Sequence, residues 1–422
     1  MAAHGLSALI EEIFRREGGR VLATLIRLLG DFDMAEEARQ EAFTAAIEQW
    51  PVRGIPENPR AWLVTAGRNK AIDRIRRDAL FRTKIAHGLA ETDVAETADT
   101  DEEIFGDDRL RLIFTCCHPA LNQDAQIALT LREVCGLSTQ AVARAFLIGE
   151  DTMAQRLVRA KKKIRDARIP YETPDPSMLE ERVDGVLVVV YAVFTEGYAA
   201  TTGAQLMDVE LCAEAIRLGR LLDSLLPKRG AVMGLLSLML LHHARRASRV
   251  SAGGDIVLLE TQDRSLWDRG EIAEGLTLVE RALSIPGQAS PYAVQAAIAA
   301  LHVKALDSRD TDWPQIVGLY EVLLRLQPTP VIELNHAVAV SMVEGPARAL
   351  DLIDSLAARG QVTQYHLLHA ARGRFLQQLG RIEEACQAYR TALSTATLGP
   401  ERRFLEARLG EVQGLSGAPV SG

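Results

Sequence analysis

The chain has 422 residues, 48% of them hydrophobic, and a formal net charge of −8, enough apolar material for about two to four domains and the wrong sign for a protein that coats DNA through its overall charge. No apolar run reaches the ~18 residues of a membrane span, and the first twenty residues lack a basic start followed by an apolar core, so neither a membrane anchor nor an export signal is expected. The odd, scattered set Cys116, Cys117, Cys135, Cys212 and Cys386 fits the reduced thiols of a cytoplasmic protein and not a disulfide framework.

The first predicted helix covers 6–29, with Ile10, Ile13, Phe14, Val21, Leu25 and Leu28 as its apolar stripe, and Gly30-Asp31 ends it. Asp33 is the expected N-cap of a second helix, 34–50, with Glu36 in capping-box position. Ala38, Ala42, Phe43, Ala46 and Ile47 are expected inward, and Glu36, Glu37 and Glu41 give an acidic outer face. A proline-rich loop, 51–58, leads into a third helix that runs to 77. Pro59 suits its first turn, where the missing N–H is not needed. Ala61, Val64, Ala71, Ile72 and Ile75 supply a core-facing stripe, while Lys70, Arg74 and Arg77 recur at i, i+4 and i+7 on another face. Arg60, Arg68 and Arg76 add positive charge, and Asp73 offsets it. Such a face is either a solvated surface or a helix that meets phosphates.

Residues 81–108 are rich in Asp and Glu and poor in large apolar residues, which predicts an acidic linker. A helical module follows over 109–168. A helix over 123–134 is followed by a short helix, 140–146, capped by Ser138 or Thr139, then by the turn Leu147-Ile148-Gly149. A longer helix begins at Asp151 or Thr152 and carries Gln155, Arg156, Arg159, Lys161, Lys162, Lys163 and Arg165. Helix, tight turn and longer basic helix is the helix-turn-helix pattern. Cys116-Cys117-His118 invites a metal reading, but neighbouring side chains on a helix diverge and no fourth ligand stands nearby. Two buried thiols are the expectation, and no metal is assigned.

Pro170, Pro174 and Pro176 mark a proline-rich linker, 169–180, and an apolar helical region fills 181–265. Beyond 266 a spaced triplet repeats: Gly275, Val279, Ala282; Ile316, Tyr320, Leu323; Ala349, Ile353, Leu356; Ala385, Tyr389, Ala392. Repeated helix pairs over 266–415 are expected, similar to tetratricopeptide (TPR) repeats or built as plain helical hairpins. There is no P-loop, no His-Glu-x-x-His and no nucleophile elbow, so no catalytic residue and no cofactor are assigned.

The run Asp33-x-Ala35-Glu36-Glu37-Ala38-x-Gln40-Glu41-Ala42-Phe43, then Asn58-Pro59-x-Ala61-Trp62-Leu63, then Ala66-x-Arg68-Asn69-x-Ala71-x-Asp73-x-x-Arg76-Arg77 resembles region 2 of extracytoplasmic-function (ECF) sigma factors of bacterial RNA polymerase. The run from Gly149 to Lys161 is similar to the recognition helix of sigma region 4, with Met153 in place of a valine and Lys161 in place of an arginine. The resemblance implies an all-α protein with region 2 over 1–80 and region 4 over 109–168. It implies core RNA polymerase (the β′ clamp helices and the β flap) and promoter DNA as partners, with Asp33, Glu36, Glu37, Gln40 and Glu41 docking on polymerase. It further implies that Asn58, Arg60, Arg68, Asn69, Lys70, Asp73, Arg74, Arg76 and Arg77 serve the −10 element. Asp151, Thr152, Ala154, Gln155, Val158, Arg159, Lys162 and Lys163 would serve the −35 element. Trp62 is either a stacking residue for a base or a core anchor, and the acidic linker is either a plain tether or a segment threading the RNA exit path. The C-terminal repeats would regulate activity, through a protein partner or an intramolecular contact. A helix-turn-helix regulator that never docks on polymerase would leave the acidic face at 36–41 unexplained.

Overall fold

A computed structural model describes residues 2–83, 102–198 and 207–416, apart from 147, 176, 252, 288, 361, 363, 364, 397 and 398. It divides into two units, Met1–Ala192 and Val193–Gly422. The described residues are helical throughout and form no strand; Val250 and Ile256 make a single antiparallel bridge.

In the first unit α1 (Ala2–Leu29), α2 (Phe32–Arg53) and α3 (Pro59–Thr83) pack on one another. Ile10, Ile13, Val21, Leu22, Leu25 and Ile26 form the buried stripe of α1, whereas Leu28, expected inward, is 42% exposed next to the chain reversal at Gly30 (φ 69°). The cap of α2 is Asp31, not Asp33: its Oδ1 accepts from Met34 N at 2.7 Å. Phe32 is already helical, so Asp33 falls inside the first turn. The inward row of α2 runs through Ala35, Ala38, Arg39, Ala42, Phe43, Ala46 and Trp50. Ile47 lies off that arc and is 59% exposed, against expectation.

The facing row of α3 also differs from the expected one. Leu63, Gly67 and Ala71 are buried, Val64 and Ile72 are half-buried, and Ala61 and Ile75 are exposed. The reason is a close approach at Gly67, where an added Cβ would lie 2.9 Å from Ala38 O. The residues four apart on either side of that glycine are the ones that meet α2. Trp62 packs edge-on against the buried Trp50 ring at 5.4 Å, which favours the core-anchor reading of this residue.

Next come α4 (Glu102–Cys116), α5 (Gln123–Leu129), a π-helical turn (Thr130–Val134), α6 (Thr139–Ala145) and α7 (Glu150–Asp166). Helix α4 begins inside the stretch expected to be linker, and Asp108 is buried; residues 84–101 of that stretch lie outside those described. Ser138 caps α6, its Oγ accepting from Ala141 N at 3.1 Å. Helix α7 starts at Glu150, one or two residues earlier than expected, with Gly149 as a cap that offers no side-chain acceptor, so Asp151 and Thr152 are first-turn residues. The proline-rich stretch after α7 is tied down rather than loose. The Tyr171 hydroxyl lies 2.8 Å from the carbonyl oxygens of both Ala23 and Asp108.

The division between units falls within α8 (Leu179–Tyr198). The second unit continues with α9 (Val209–Leu225), α10 (Gly230–His243), α11 (Arg269–Leu283), α12 (Pro291–Lys304), α13 (Trp313–Leu326), α14 (Pro330–Glu344), α15 (Pro346–Ala358), α16 (His366–Gln378), α17 (Ile382–Thr395) and α18 (Gly399–Ser416). Helix α10 is apolar on every side and buried on every side, with α9, α11 and α12 against it. From α11 onward the helices come in consecutive packed pairs. Every repeated triplet residue is buried except Tyr320, which is half-buried. Such pairs are compatible with TPR-like repeats and equally with plain hairpins.

Gly67→Val is expected to force α3 away from α2 and to cost about 1–3 kcal/mol through overpacking, read as a lower unfolding midpoint of the first unit. An unchanged midpoint would show that the contact relaxes freely.

Candidate nucleic-acid and polymerase interface

Helix α7 owes its orientation to one apolar row. Met153, Leu157, Ala160 and Ile164 are all buried, at the i, i+4, i+7 and i+11 spacing of a single helical face. Asp151, Thr152, Gln155, Val158, Arg159, Lys162 and Lys163 are therefore exposed, and Ala154 is half-buried. Arg156 turns inward instead, pairing with Asp124 at 3.1 Å and lying over the Phe146 ring at 5.1 Å.

On α3, Asn69, Lys70, Asp73, Arg74 and Arg76 are exposed, and Arg60 and Arg68 are half-buried. The side chain of Arg77 lies outside those described. Asn58 has a structural role at the helix start: its Oδ1 accepts from Ala61 N at 3.1 Å. Arg74 pairs with Glu37 on α2, so the expected DNA helix and the expected polymerase face are joined there. Along that face Glu37 and Gln40 are exposed, while Asp33, Glu36 and Glu41 are half-buried.

The acidic face of α2 also meets α7. Lys161 Nζ pairs with Glu36 and lies 3.1 Å from Glu133 Oε1, and Arg165 pairs with Asp33. Behind them Arg39, 1% exposed, donates from Nη2 to Glu133 Oε2 at 2.9 Å, and Glu133 is 0% exposed. The Arg39 guanidinium sits over the Phe14 ring at 5.7 Å. Glu133 rides on the π-helical turn, and α1 abuts that turn so closely that a Cβ on Gly19 would lie 2.9 Å from Glu133 O. A further cross-link joins Arg27 Nε to the buried Asp108 carboxylate at 2.9 Å. Burial by itself pushes the Glu133 carboxyl up. Arg39, Lys161 and Arg132 outweigh it and hold the group below its ordinary value, so Glu133 is ionised at neutral pH.

Neither Arg39 nor Glu133 figured in the sequence reading. The available signal was an arginine at position 39 in the row Ala35, Ala38, Ala42, Ala46, where the helical period demands a buried side chain. At the end of α4, Cys116 and Cys117 are buried. Burial pushes the Cys117 thiol up to about 11 and raises Cys116 as well, with the neighbouring thiol adding to the effect. Both therefore stay protonated and poorly nucleophilic. Among the described residues no three His, Cys, Asp or Glu side chains gather in a metal-binding group.

Residues 13–80 match the family Sigma-70 region 2, and residues 111–164 match Sigma-70, region 4. The chain belongs to the ECF sigma factors of RNA polymerase. Residues 182–283 of this sigma factor match a family of unknown function, DUF6596. It is 28% identical over 171 residues to the ECF RNA polymerase sigma factor SigK of Mycobacterium bovis (strain BCG / Pasteur 1173P2), an alignment covering 39% of this chain and 88% of the relative. The SigK of Mycobacterium ulcerans (strain Agy99) is 27% identical over 177 residues, covering 38% and 92%. An uncharacterized protein of Rhizobium meliloti (strain 1021) is 45% identical over 397 residues, 92% of each chain, and so spans the C-terminal extension too. Sigma factors are non-enzymatic transcription initiation factors, and the two matched regions imply binding to core RNA polymerase and promoter DNA. No helix among its described residues is long and apolar enough to cross a membrane.

Glu133→Gln leaves Arg39 and Lys161 facing a neutral amide. A loss of about 3–5 kcal/mol is expected, read as faster hydrogen exchange in α5 and α7. Because the Glu133 pKa is depressed on folding, its contribution is complete above the ordinary glutamate pKa of about 4.3. It is lost as the pH falls from there through the folded-state value. Acid unfolding of the first unit is accordingly expected to lose part of its pH dependence in the Gln variant; an identical acid limb would show that Glu133 does not contribute.

Proposed function

We propose that this sigma factor directs promoter-specific initiation in the cytoplasm, with the surfaces described above divided among three tasks. Asp33, Glu36, Glu37, Gln40 and Glu41 dock on the β′ clamp helices. The start and outer face of α3, from Asn58 to the basic residues at 74–77, engage the −10 element as single strand, where a base leaves the stack while Lys and Arg hold phosphates. The exposed face of α7 lies in the major groove of the −35 element, with region 4 against the β flap. There Gln155 and Arg159 are the base readers by geometry, and Lys162 and Lys163 are phosphate contacts. The helical pairs over 266–415 regulate this activity or carry a partner.

The observation that carries the reading is the rotation of α7. Its buried row leaves outward nearly the whole set of side chains that the region 4 resemblance assigns to DNA. The ion pairs from Lys161 and Arg165 to Glu36 and Asp33 give the reading a further consequence. Docking on polymerase through the acidic face competes with α7 for the same carboxylates, so the arrangement seen here is that of the unbound factor.

Arg159→Ala is expected to weaken −35 recognition by about 1–3 kcal/mol in run-off transcription with core polymerase across a panel of −35 variants, and equal activity on all variants in both proteins would remove that role. Arg165→Glu turns the Asp33 pair into a like-charge contact. It is expected to tighten binding to core polymerase about 2–5-fold without DNA, the worth of an exposed ion pair; unchanged or weaker binding would remove the competition.

A further inference from the structure

The second unit contains a group of guanidiniums that sigma function does not use. Arg245 and Arg249 follow the C-terminal end of α10, where His242 sits, and Tyr198 ends α8. Arg245 Nη2 donates to Tyr198 Oη at 3.1 Å and to His242 Nδ1 at 3.2 Å. Arg249 lies over the Tyr198 ring at 3.5 Å and donates from Nη1 to Tyr198 O at 2.7 Å. His302 of α12 stands close by. Arg264 Nη1 donates to the carbonyl oxygens of His302 and Ala305 at 2.9 and 2.7 Å, with its guanidinium over Trp267 at 4.5 Å.

What is missing among the described residues is a carboxylate in direct contact; Asp307 and Asp310 act on Arg264 only from beyond ion-pair distance. Arg246, the neighbour of Arg245, pairs with Asp268 at 3.2 Å and Glu271 at 2.9 Å. No ion pair reaches Arg245, Arg249 or Arg264 among the described residues, although Arg245 is only 9% exposed. Glu260, the carboxylate whose charge acts on His302, is paired with Arg374 at 3.5 Å. Burial, reinforced by Arg245, lowers both histidines, His302 to about 4, so neither carries charge at neutral pH. A guanidinium can only donate, so His242 Nδ1 accepts and the ring proton is on Nε2.

Like charges gathered away from bulk water are costly unless an opposite charge joins them. The cluster is nevertheless not sealed from water: His242, Arg249, Tyr198 and His302 are all half-buried. Among the described residues the hydrogen bonds of Arg245 engage only Nη2 and those of Arg249 only Nη1, which leaves donors on both guanidiniums without a described partner.

We propose that this cluster at the end of α10 binds a small-molecule oxyanion, a phosphate or carboxylate group held between Arg245 and Arg249. Two guanidiniums beside an aromatic ring match a flat or tetrahedral oxyanion through charge-assisted hydrogen bonds. The site makes the C-terminal extension a ligand-binding module, and it stands independently of the promoter reading.

The test is thermal unfolding of the full chain in sodium phosphate and in sodium acetate, each against sodium chloride at matched ionic strength. A saturable rise of about 3 °C or more is expected with one of the two anions: phosphate alone identifies a phosphate-bearing ligand, and acetate alone a carboxylate-bearing one. Arg249→Met and Arg245→Met should each abolish the increment, whatever their melting temperature in chloride. Arg249→Lys, which keeps the charge, should retain part of it, and Arg220→Met, elsewhere in the same unit, all of it. No increment with either anion, or the same increment in wild type and both Met variants, would overturn the proposal, as would its loss in Arg220→Met.

Discussion

The first unit is organised around one buried charge network. Arg39 and Glu133 come from helices distant in sequence and are both removed from water, while Lys161 bridges Glu133 to Glu36 at the rim. An isolated buried charge is prohibitive, and a pair is tolerable only when its geometry is complete. Glu133 is therefore ionised in the core because α2 and α7 both supply cations, with Arg132 of its own turn adding to them. The region 2 and region 4 segments meet where each holds the charge that the other requires. Even so, Nε and Nη1 of Arg39 have no hydrogen-bond partner. A network left partly unsatisfied resists opening less than a complete one, since water restores on separation what the interior withholds. Such a joint suits a factor that must exchange an internal contact for an external one.

Helix α7 shows how one element can serve three surroundings. Its apolar row fixes the helix on its own module. The opposite face is left free, and the shoulder carrying Lys161 and Arg165 reaches the acidic face of α2. The division follows from the angle between successive residues. No side chain on a helix can be moved to another face without turning all of its neighbours.

The second unit uses polar groups differently. Helix α10 is apolar throughout, and its only buried polar side chains are Ser237 and His243. Ser237 donates to Gly275 O and His243 meets Glu271 through Nδ1, while His243 Nε2 has no partner among the described residues. Just beyond the helix end, adjacent arginines are treated oppositely: Arg246 is neutralised by two carboxylates, and Arg245 by none.

The order of helices, the all-α class, the helix-turn-helix and the repeated triplets were all legible in the sequence, because they rest on local periodicity and turn chemistry. The exposed face of α7 was legible for the same reason: once Met153, Leu157, Ala160 and Ile164 are buried, the rest is geometry. Ile47, Ile75 and Leu28 misled, since hydrophobicity does not say which arc of a helix a neighbour covers, and the close approach at Gly67 decided that for α3. The cap at Asp31 and the start of α7 at Gly149 differ from expectation by a short shift, because several polar residues stood within reach of each helix start. What tertiary structure alone decided is the pairing of Arg39 with Glu133 and of Lys161 with Glu36, together with the gathering of Tyr198, Arg245 and His302 from separate elements. Charge pairing depends on distance through space, and nothing in the spacing along the chain encodes which distant residue will lie within about 3 Å of another.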